Sequence, residues 1–316
     1  MTERGEQKDR GLFIAKVRSN RRIGPRFYKL VVEFTGEGAS AFGNCRPGQF
    51  AQFDLRGAGL PDAEAVPEDL VDSAGRNILL RRPFSFSDIS GKPERVFAEV
   101  LYCAVGPASL RMSALSAGDS LSVLGPLGRG FWVDGEKKLA LLVAGGMGAG
   151  PLEHLAKVLT EEHPQMQVVA FAGAATVRQL PFERRLDELA EGLGFSIAEF
   201  AKYGIESYVA TDDGSAGFHG LVTDCVRQHI ESHNINARET TIYACGPEAM
   251  LAKTAELAAG CGIDCQVSIE RRMACGIGVC QSCVVRCKGG DGNATVQKLC
   301  CEDGPVFDAR EVIFEV

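Results

Sequence analysis

Leu139-Ala-Leu-Leu-Val-Ala144 runs straight into Gly145-Gly-Met-Gly-Ala-Gly150 and then Pro151. Six apolar residues suit a strand buried on both faces, the glycines a tight turn, and proline the first turn of a helix. The spacing predicts strand, turn and a helix reaching Leu159. Two more such units follow: residues 167–172 before a helical pattern over 176–189, and residues 240–244 before Gly246-Pro-Glu-Ala-Met-Leu251. Strands alternating with helices predict a parallel, doubly wound sheet. N–H groups and the dipole of a helix N-terminus attract a pyrophosphate, so Gly145, Gly146 and Gly148 are candidate dinucleotide contacts. The string departs from a strict G-x-G-x-x-G, and no acid stands at the end of the second strand to hold a ribose. NAD and NADP therefore both remain open.

Upstream of this unit the pattern is different. Short alternating or β-branched runs at 11–17, 27–34, 49–55, 96–105 and 120–124 are broken by Arg46-Pro-Gly48, Ala117-Gly-Asp119 and Gly125-Pro-Leu-Gly128. That rhythm predicts an antiparallel barrel or sandwich. Residues 57–77, with Asp62, Glu64, Glu68, Asp69 and Asp72, read as a solvated loop between two strands. Arg82-Pro-Phe-Ser85 reads as following a strand and sets a cation, an aromatic face and a hydroxyl within four residues. An arginine can fork onto a phosphate, and a ring can stack on a flat cofactor.

Downstream, sulfur accumulates. Of twelve cysteines, eight lie from residue 261 onward: Cys261, Cys265, Cys275, Cys280, Cys283, Cys287, Cys300 and Cys301. Cys275-Gly-Ile-Gly-Val-Cys280-Gln-Ser-Cys283 has the C-x4-C-x2-C spacing of plant-type [2Fe–2S] proteins, which take a fourth thiolate from farther along the chain. Gly276 and Gly278 let the backbone curl so that its N–H groups point at sulfur. Cys300 and Cys301 are both available as the distant ligand, and spacing does not separate them. A tetrahedral zinc site is the competing reading, but zinc folds of this size pair two short cysteine hooks and this chain has one. The five histidines, His154, His163, His219, His229 and His233, show neither metal spacing nor a paired nucleophile.

Composition sets the outer bounds. The chain has 316 residues, enough for two or three domains, with 34 basic against 41 acidic side chains and a net charge of −7. That balance gives no general attraction to nucleic acid. The charged start, Met1-Thr-Glu-Arg-Gly-Glu-Gln-Lys-Asp-Arg10, carries no apolar core of a secretory signal, and no apolar run approaches the ~20 residues of a membrane span. A cytoplasmic protein without membrane or nucleic-acid partners is expected, in which clustered cysteine means metal or redox chemistry rather than disulfides.

Arg82-Pro-Phe-Ser85, Gly125-Pro-Leu-Gly128, Gly145-Gly-Met-Gly148, Cys245-Gly-Pro247 and the cysteine tail occur in the order of the ferredoxin-reductase-like flavoproteins. Thr211-Asp-Asp-Gly-Ser215, Gly220-Leu-Val-Thr-Asp224, Glu270-Arg-Arg-Met-Ala-Cys275-Gly and Asp303-Gly-Pro-Val-Phe307 narrow the likeness. Over nearly its whole length the chain resembles the electron transfer subunits of NAD-linked bacterial dihydroorotate dehydrogenases.

The resemblance implies a multi-domain β and α/β protein: an antiparallel FAD-binding β-barrel (1–136), a doubly wound parallel NAD-binding sheet (137–260) and a small C-terminal [2Fe–2S] domain (261–316). It assigns FAD to Arg82, Pro83, Phe84 and Ser85, and further to Leu101, Tyr102, Cys103, Ala108 and Ser109. Here the chain departs from the family, with Cys103 replacing an arginine and Ala108-Ser109 replacing Gly-Thr. NAD falls to Gly145, Gly146, Gly148, Cys245, Gly246 and Pro247. Cys245 is a candidate nicotinamide-site residue, with packing at a strand end as its plainer role. The cluster falls to Cys275, Cys280, Cys283 and Cys301, the last chosen over Cys300 by its place three residues before Gly304-Pro305.

A nicotinamide moves two electrons and a [2Fe–2S] centre one, so a flavin must stand between them. The implied function is an oxidoreductase subunit in pyrimidine (UMP) biosynthesis. It passes electrons from a partner FMN subunit, which oxidises dihydroorotate, through [2Fe–2S] and FAD to NAD+, in a heterotetramer of two of each chain. No residue of this chain does acid–base chemistry on dihydroorotate. The alternative keeps the cofactors and changes the partner: an NAD(P)H diaphorase or a ferredoxin, sulfide or hydrogenase reductase subunit.

Overall fold

The computed structural model describes residues 10–183, 197–290 and 294–315. Its first layer is β1 (Gly11–Arg22), β2 (Phe27–Thr35), α1 (Glu37–Gly43), β3 (Phe50–Phe53), α2 (Val71–Ala74), β4 (Arg82–Ser85), β5 (Asp88–Lys92), β6 (Arg95–Cys103), α3 (Pro107–Ser113) and β7 (Ser120–Leu127). The seven strands form one antiparallel sheet in the order β4-β3-β7-β1-β2-β6-β5. It curls around Val17, Leu30, Val32, Phe34, Phe42, Phe53, Phe86 and Tyr102, the inward side of the alternation seen in the sequence. Arg82-Pro-Phe-Ser85 does not follow a strand, as expected above; it is β4 itself. Its place at the sheet edge tolerates Pro83, which has no N–H to give.

Residues 57–77 are more ordered than a solvated loop. Leu70 and Ala74 are buried against Ala104 and Leu110, Asp69 pairs with Arg26 at 3.0 Å, and the Ala58 carbonyl accepts from Arg111 at 3.0 Å. The acids Asp62, Glu64, Glu68 and Asp72 face solvent. Four apolar anchors are enough to seat the segment on α3 while its charges stay wet.

The second layer is β8 (Leu139–Gly145), α4 (Ala149–Glu162), β9 (Gln167–Ala174), α5 (Ala198–Ala201), β10 (Glu206–Thr211), β11 (Phe218–His219), α6 (Val222–Ser232), β12 (Thr240–Cys245), α7 (Glu248–Cys261) and β13 (Asp264–Ser268). Then come β14 (Val284–Lys288), β15 (Thr295–Leu299) and β16 (Val306–Asp308). The sheet order is β11-β10-β9-β8-β12-β13-β16, parallel except for β16. The helix after the glycine turn begins at Ala149 rather than at Pro151, which falls inside its first turn. A short 3-10 turn, Val177–Gln179, opens the segment expected to be helical over 176–189; residues 184–189 lie outside the described residues. The sequence boundary at 260/261 cuts through this layer, because β13 and β16 complete the sheet. The cysteine loop and the β14–β15 ribbon begin only after Ser268.

The layers meet on a buried ionic cluster. Lys29 of β2 lies 3.2 Å from Glu153 of α4 and 3.5 Å from both Glu99 of β6 and Glu199 of α5. Burial works against the Lys29 ammonium, but Glu153, Glu99 and Glu199 outweigh it and raise its pKa. Burial, helped by Glu199 and Glu99, raises the Glu153 carboxyl to about 8 despite Lys29. A carboxyl raised on folding takes up a proton, so its stabilisation is complete below 4.5 and is lost as pH climbs toward 8. Glu153→Gln, which mimics the protonated form, is expected to keep stability at pH 5 and exceed the parent at pH 9. Denaturant melts at the two pH values check it.

Candidate functional site

The glycine turn and the Cys245-Gly-Pro turn lie side by side. β8 and β12 are neighbours, with Ala144 opposite Cys245, and the chain leaves β8 toward β9 on one side and β12 toward β13 on the other. Such a reversal opens a crevice at the carboxyl ends of the strands. The turns fit flush: a Cβ on Gly148 would sit 2.0 Å from the Cys245 carbonyl oxygen, and one on Gly145 would sit 2.7 Å from the Pro247 ring. Gly246 has φ +158° and lies against Gly145. Gly146, at φ +49°, has nothing within 4 Å of its Cβ direction, so the turn presents open backbone above α4. A pyrophosphate asks for that arrangement at a helix start. Cys245 is buried, and burial first, then Glu270, pushes its thiol up to about 12. It is a neutral, packed sulfur at the floor of the crevice.

On the barrel, Arg82, Pro83, Phe84 and Ser85 are all half-buried along β4. Among the described residues only Nη1 of Arg82 is engaged, donating to the Leu80 and Arg81 carbonyls at 2.8 and 3.2 Å. The Phe84 ring stands edge-on to Phe53 and Tyr102. This edge fits a flat cofactor with a phosphate tail: an available guanidinium fork beside a part-exposed ring.

The second expected flavin segment is split by strand alternation. Leu101 faces the sheet layer beside Gly150 and Cys103 is half-buried. Tyr102 points into the barrel core, its hydroxyl donating to Asn20 at 3.0 Å. Burial raises its pKa, and its ring stacks on Tyr28. Ala108 is buried. The Ser109 hydroxyl accepts the N–H groups of Val105 and Gly106 at 2.9 and 3.1 Å, so it caps α3 rather than reaching outward.

The cysteine loop supplies sulfur with donors already aimed at it. Ile277 and Cys280 donate N–H to Cys275 Sγ, each at 3.4 Å. Gly278 donates to Cys301 Sγ at 3.2 Å. Gly276 and Gly278 hold φ of +74° and +80°, the curl that turns these amides inward. In chain order the four thiols make two pairs, Cys275 with Cys280 and Cys283 with Cys301; loop amides reach Cys275 and Cys301, and of the four only Cys280 is exposed.

Ser282 is the chief cause lowering Cys280 to about 6, with Cys275 adding to it. Burial, then the neighbouring Cys283, pushes Cys301 up to about 12. A buried thiol of that kind is one that a bound cation deprotonates. Among the described residues no three His, Cys, Asp or Glu side chains converge as a single ion requires. A two-iron core asks instead for two thiolates on each iron; Cys275, Cys280, Cys283 and Cys301 supply that number, with loop amides beside them to offset the charge.

Cys300 and Cys301, adjacent in sequence, face opposite ways. Cys300 is fully buried and donates its S–H to the Ile269 carbonyl at 3.1 Å. A thiol spent on a carbonyl is not a ligand. Cys300→Ala is therefore expected to keep its iron and its electron paramagnetic resonance spectrum, and to cost ~1 kcal/mol for the lost buried bond. Iron analysis and a thermal melt check both. The cysteines without a reading at the sequence level are core residues: Cys45 in the barrel, and Cys225, Cys265 and Cys287 in the sheet layer, with Cys261 packed against it. All twelve are free thiols.

Comparison with known proteins agrees with this layout. Residues 270–313 match the iron-sulfur cluster binding domain of dihydroorotate dehydrogenase B, and residues 142–256 match an oxidoreductase NAD-binding domain. The chain is 34% identical over 302 residues to the dihydroorotate dehydrogenase B (NAD(+)) electron transfer subunit of Caldanaerobacter subterraneus subsp. tengcongensis, covering 95% of this chain and 98% of that one. It is 35% identical to the subunit of the same name from Geobacillus thermodenitrificans, over 93% and 96% of the two chains.

In fold it is similar to a solved NADH-dependent reduced ferredoxin-NADP oxidoreductase, with TM-score 0.70 and 24% identity over 95% of this chain and 90% of that one. It is also similar to a Neisseria gonorrhoeae ferredoxin NADP+ reductase solved with FAD and NADP, with TM-score 0.54 and 14% identity over 79% and 92%. With paired thiols, twin glycine turns and a barrel edge in the family's order, and a third of the residues identical along almost the entire length, the chain belongs to the electron transfer subunits of NAD-linked dihydroorotate dehydrogenase B.

Proposed function

We propose that the chain carries electrons between a dihydroorotate-oxidising FMN subunit and NAD+, using a [2Fe–2S] cluster and FAD, in a cytoplasmic assembly with two copies of each subunit. The observation that carries this reading is the curled cysteine loop, with Gly276 and Gly278 at positive φ and the amides of Ile277, Gly278 and Cys280 aimed at the sulfurs of Cys275 and Cys301. FAD supplies the exchange between single electrons and a hydride when bound. Every other task falls to the protein. Cys275, Cys280, Cys283 and Cys301 hold the irons, and the amides of Ile277, Gly278 and Cys280 offset the negative charge that collects on sulfur.

Arg82 holds the flavin's phosphates and Phe84 faces its ring, while Leu101 lies at the boundary with the sheet layer. Gly145, Gly146 and Gly148 receive the NAD pyrophosphate at the start of α4, and Cys245-Gly-Pro247 floors the nicotinamide side. No side chain need shuttle a proton for dihydroorotate, whose chemistry belongs to the partner. The test is the purified chain itself: brown-yellow, with about one flavin and two irons, both bleached by anaerobic NADH. A colourless protein that binds zinc would contradict it.

A further inference from the structure

Gln52 is an anomaly in the wall between barrel and cysteine loop. β3 is buried along its length, and Gln52 is 0% exposed, yet neither Nε2 nor Oε1 has a hydrogen-bond partner among the described residues. A buried carboxamide left in that state is strongly disfavoured and calls for an explanation. The side chain leans on the cysteine loop. A Cβ placed on Gly276 would lie 2.5 Å from Gln52 Nε2 and 2.8 Å from its Cγ, so the amide rests against the residue that follows Cys275. On its other flank, Gln52 is paired in register with Pro83 of β4. One residue therefore spans from the strand assigned to the flavin to the loop assigned to the iron.

We propose that Gln52 is a positioning residue whose carboxamide donates an N–H hydrogen bond to a sulfur of the cluster at Cys275, tying the flavin-bearing barrel to the cluster and raising the cluster's reduction potential. The loop's own amides already donate to sulfur from one side. Gln52 adds a donor from the barrel, and the negative charge on thiolate and sulfide is the acceptor a desolvated amide lacks. Donors to sulfur are among the factors that set such potentials. Gly276 is part of the same arrangement, since any side chain there would push the amide away. The proposal rests on the ligand reading given under Proposed function.

The experiment is a redox titration of the holo-chain, following the cluster by electron paramagnetic resonance and the flavin by absorbance, in the parent, Gln52→Leu and Gln52→Glu. Gln52→Leu is expected to keep its iron, its flavin and its flavin potential. Its cluster reduction equilibrium should shift about tenfold toward the oxidised form, a fall of about 59 mV for one electron. Gln52→Glu, titrated at a pH high enough to ionise its buried carboxyl so that it has no donor and an added negative charge, should fall further. If Gln52→Leu does not fold, Gln52→Asn, which withdraws the donor by one methylene, carries the same direction. An intact cluster with unchanged potential in these variants overturns the role of Gln52. A parent chain without iron overturns the ligand reading, and the role of Gln52 with it.

Discussion

Cys280→Ser is expected to yield a yellow protein that has lost its iron yet still reduces dyes with NADH. Cys280 is the exposed member of its pair, and the Ser282 hydroxyl, at 3.1 Å from its sulfur, is the first reason its thiol is held near 6. An exposed sulfur held toward its thiolate is accessible to incoming iron. Serine keeps the shape and loses the soft thiolate. Without the one-electron carrier, dihydroorotate-dependent NAD+ reduction should fall about a hundredfold or more, equivalent to ~2.7 kcal/mol on the barrier. NADH–dye turnover should stay within about twofold, because Arg82 and the glycine turns are untouched. Iron content, the low-temperature spectrum and the two assays are the measurements. A variant that keeps the cluster spectrum would remove Cys280 from the ligand set.

Gly148→Ala should produce the opposite pattern, with the cluster kept and NADH reactivity lost. Its new Cβ would meet the Cys245 oxygen at 2.0 Å, the Cys245 carbon at 2.3 Å and the Gly246 nitrogen at 2.7 Å. All three are backbone atoms in a buried strand end and cannot swing aside, so the two turns must separate. Overpacking of this kind costs ~3 kcal/mol, and the NADH KM should rise about tenfold or more as the pyrophosphate seat opens. Gly146→Ala is the control. Nothing lies within 4 Å of its Cβ, so only the strain of φ +49° remains, ~1 kcal/mol. Thermal melts and NADH titrations of the pair separate crowding from mere loss of glycine.

The parts legible in the sequence are those encoded locally. Leu139 to Gly150 holds strand, turn and helix start in adjacent residues, and Cys275 to Cys283 holds a ligand loop in one stretch. What was missed depends on partners distant in the chain. Pro83 disguised β4, because its tolerance follows from an edge position that only the sheet order reveals. The resemblance names Leu101, Tyr102 and Cys103 together, and only the strand's period-two alternation separates Tyr102, in the barrel core, from Leu101, on the sheet-layer side. Spacing alone left Cys300 and Cys301 level and the resemblance chose Cys301; the physical difference between them, the Cys300 thiol turned to the Ile269 carbonyl, depends on a residue 31 positions upstream. β13 was hidden because a five-residue strand beginning Asp264-Cys-Gln looks like the cysteine tail until β12 pairs with it. Nothing near Gln52 in sequence signals that Gly276 lies against it.

The central claim is that this chain is an electron conduit from dihydroorotate to NAD+. The most direct test mixes the holo-chain with an FMN-containing dihydroorotate dehydrogenase subunit, without oxygen, and follows orotate and NADH together. Orotate and NADH should rise in equal amounts, neither should form with either subunit alone, and Cys280→Ser should abolish the coupling. Vigorous NAD(P)H-driven reduction of ferredoxin with no NAD+-dependent orotate formation would contradict it.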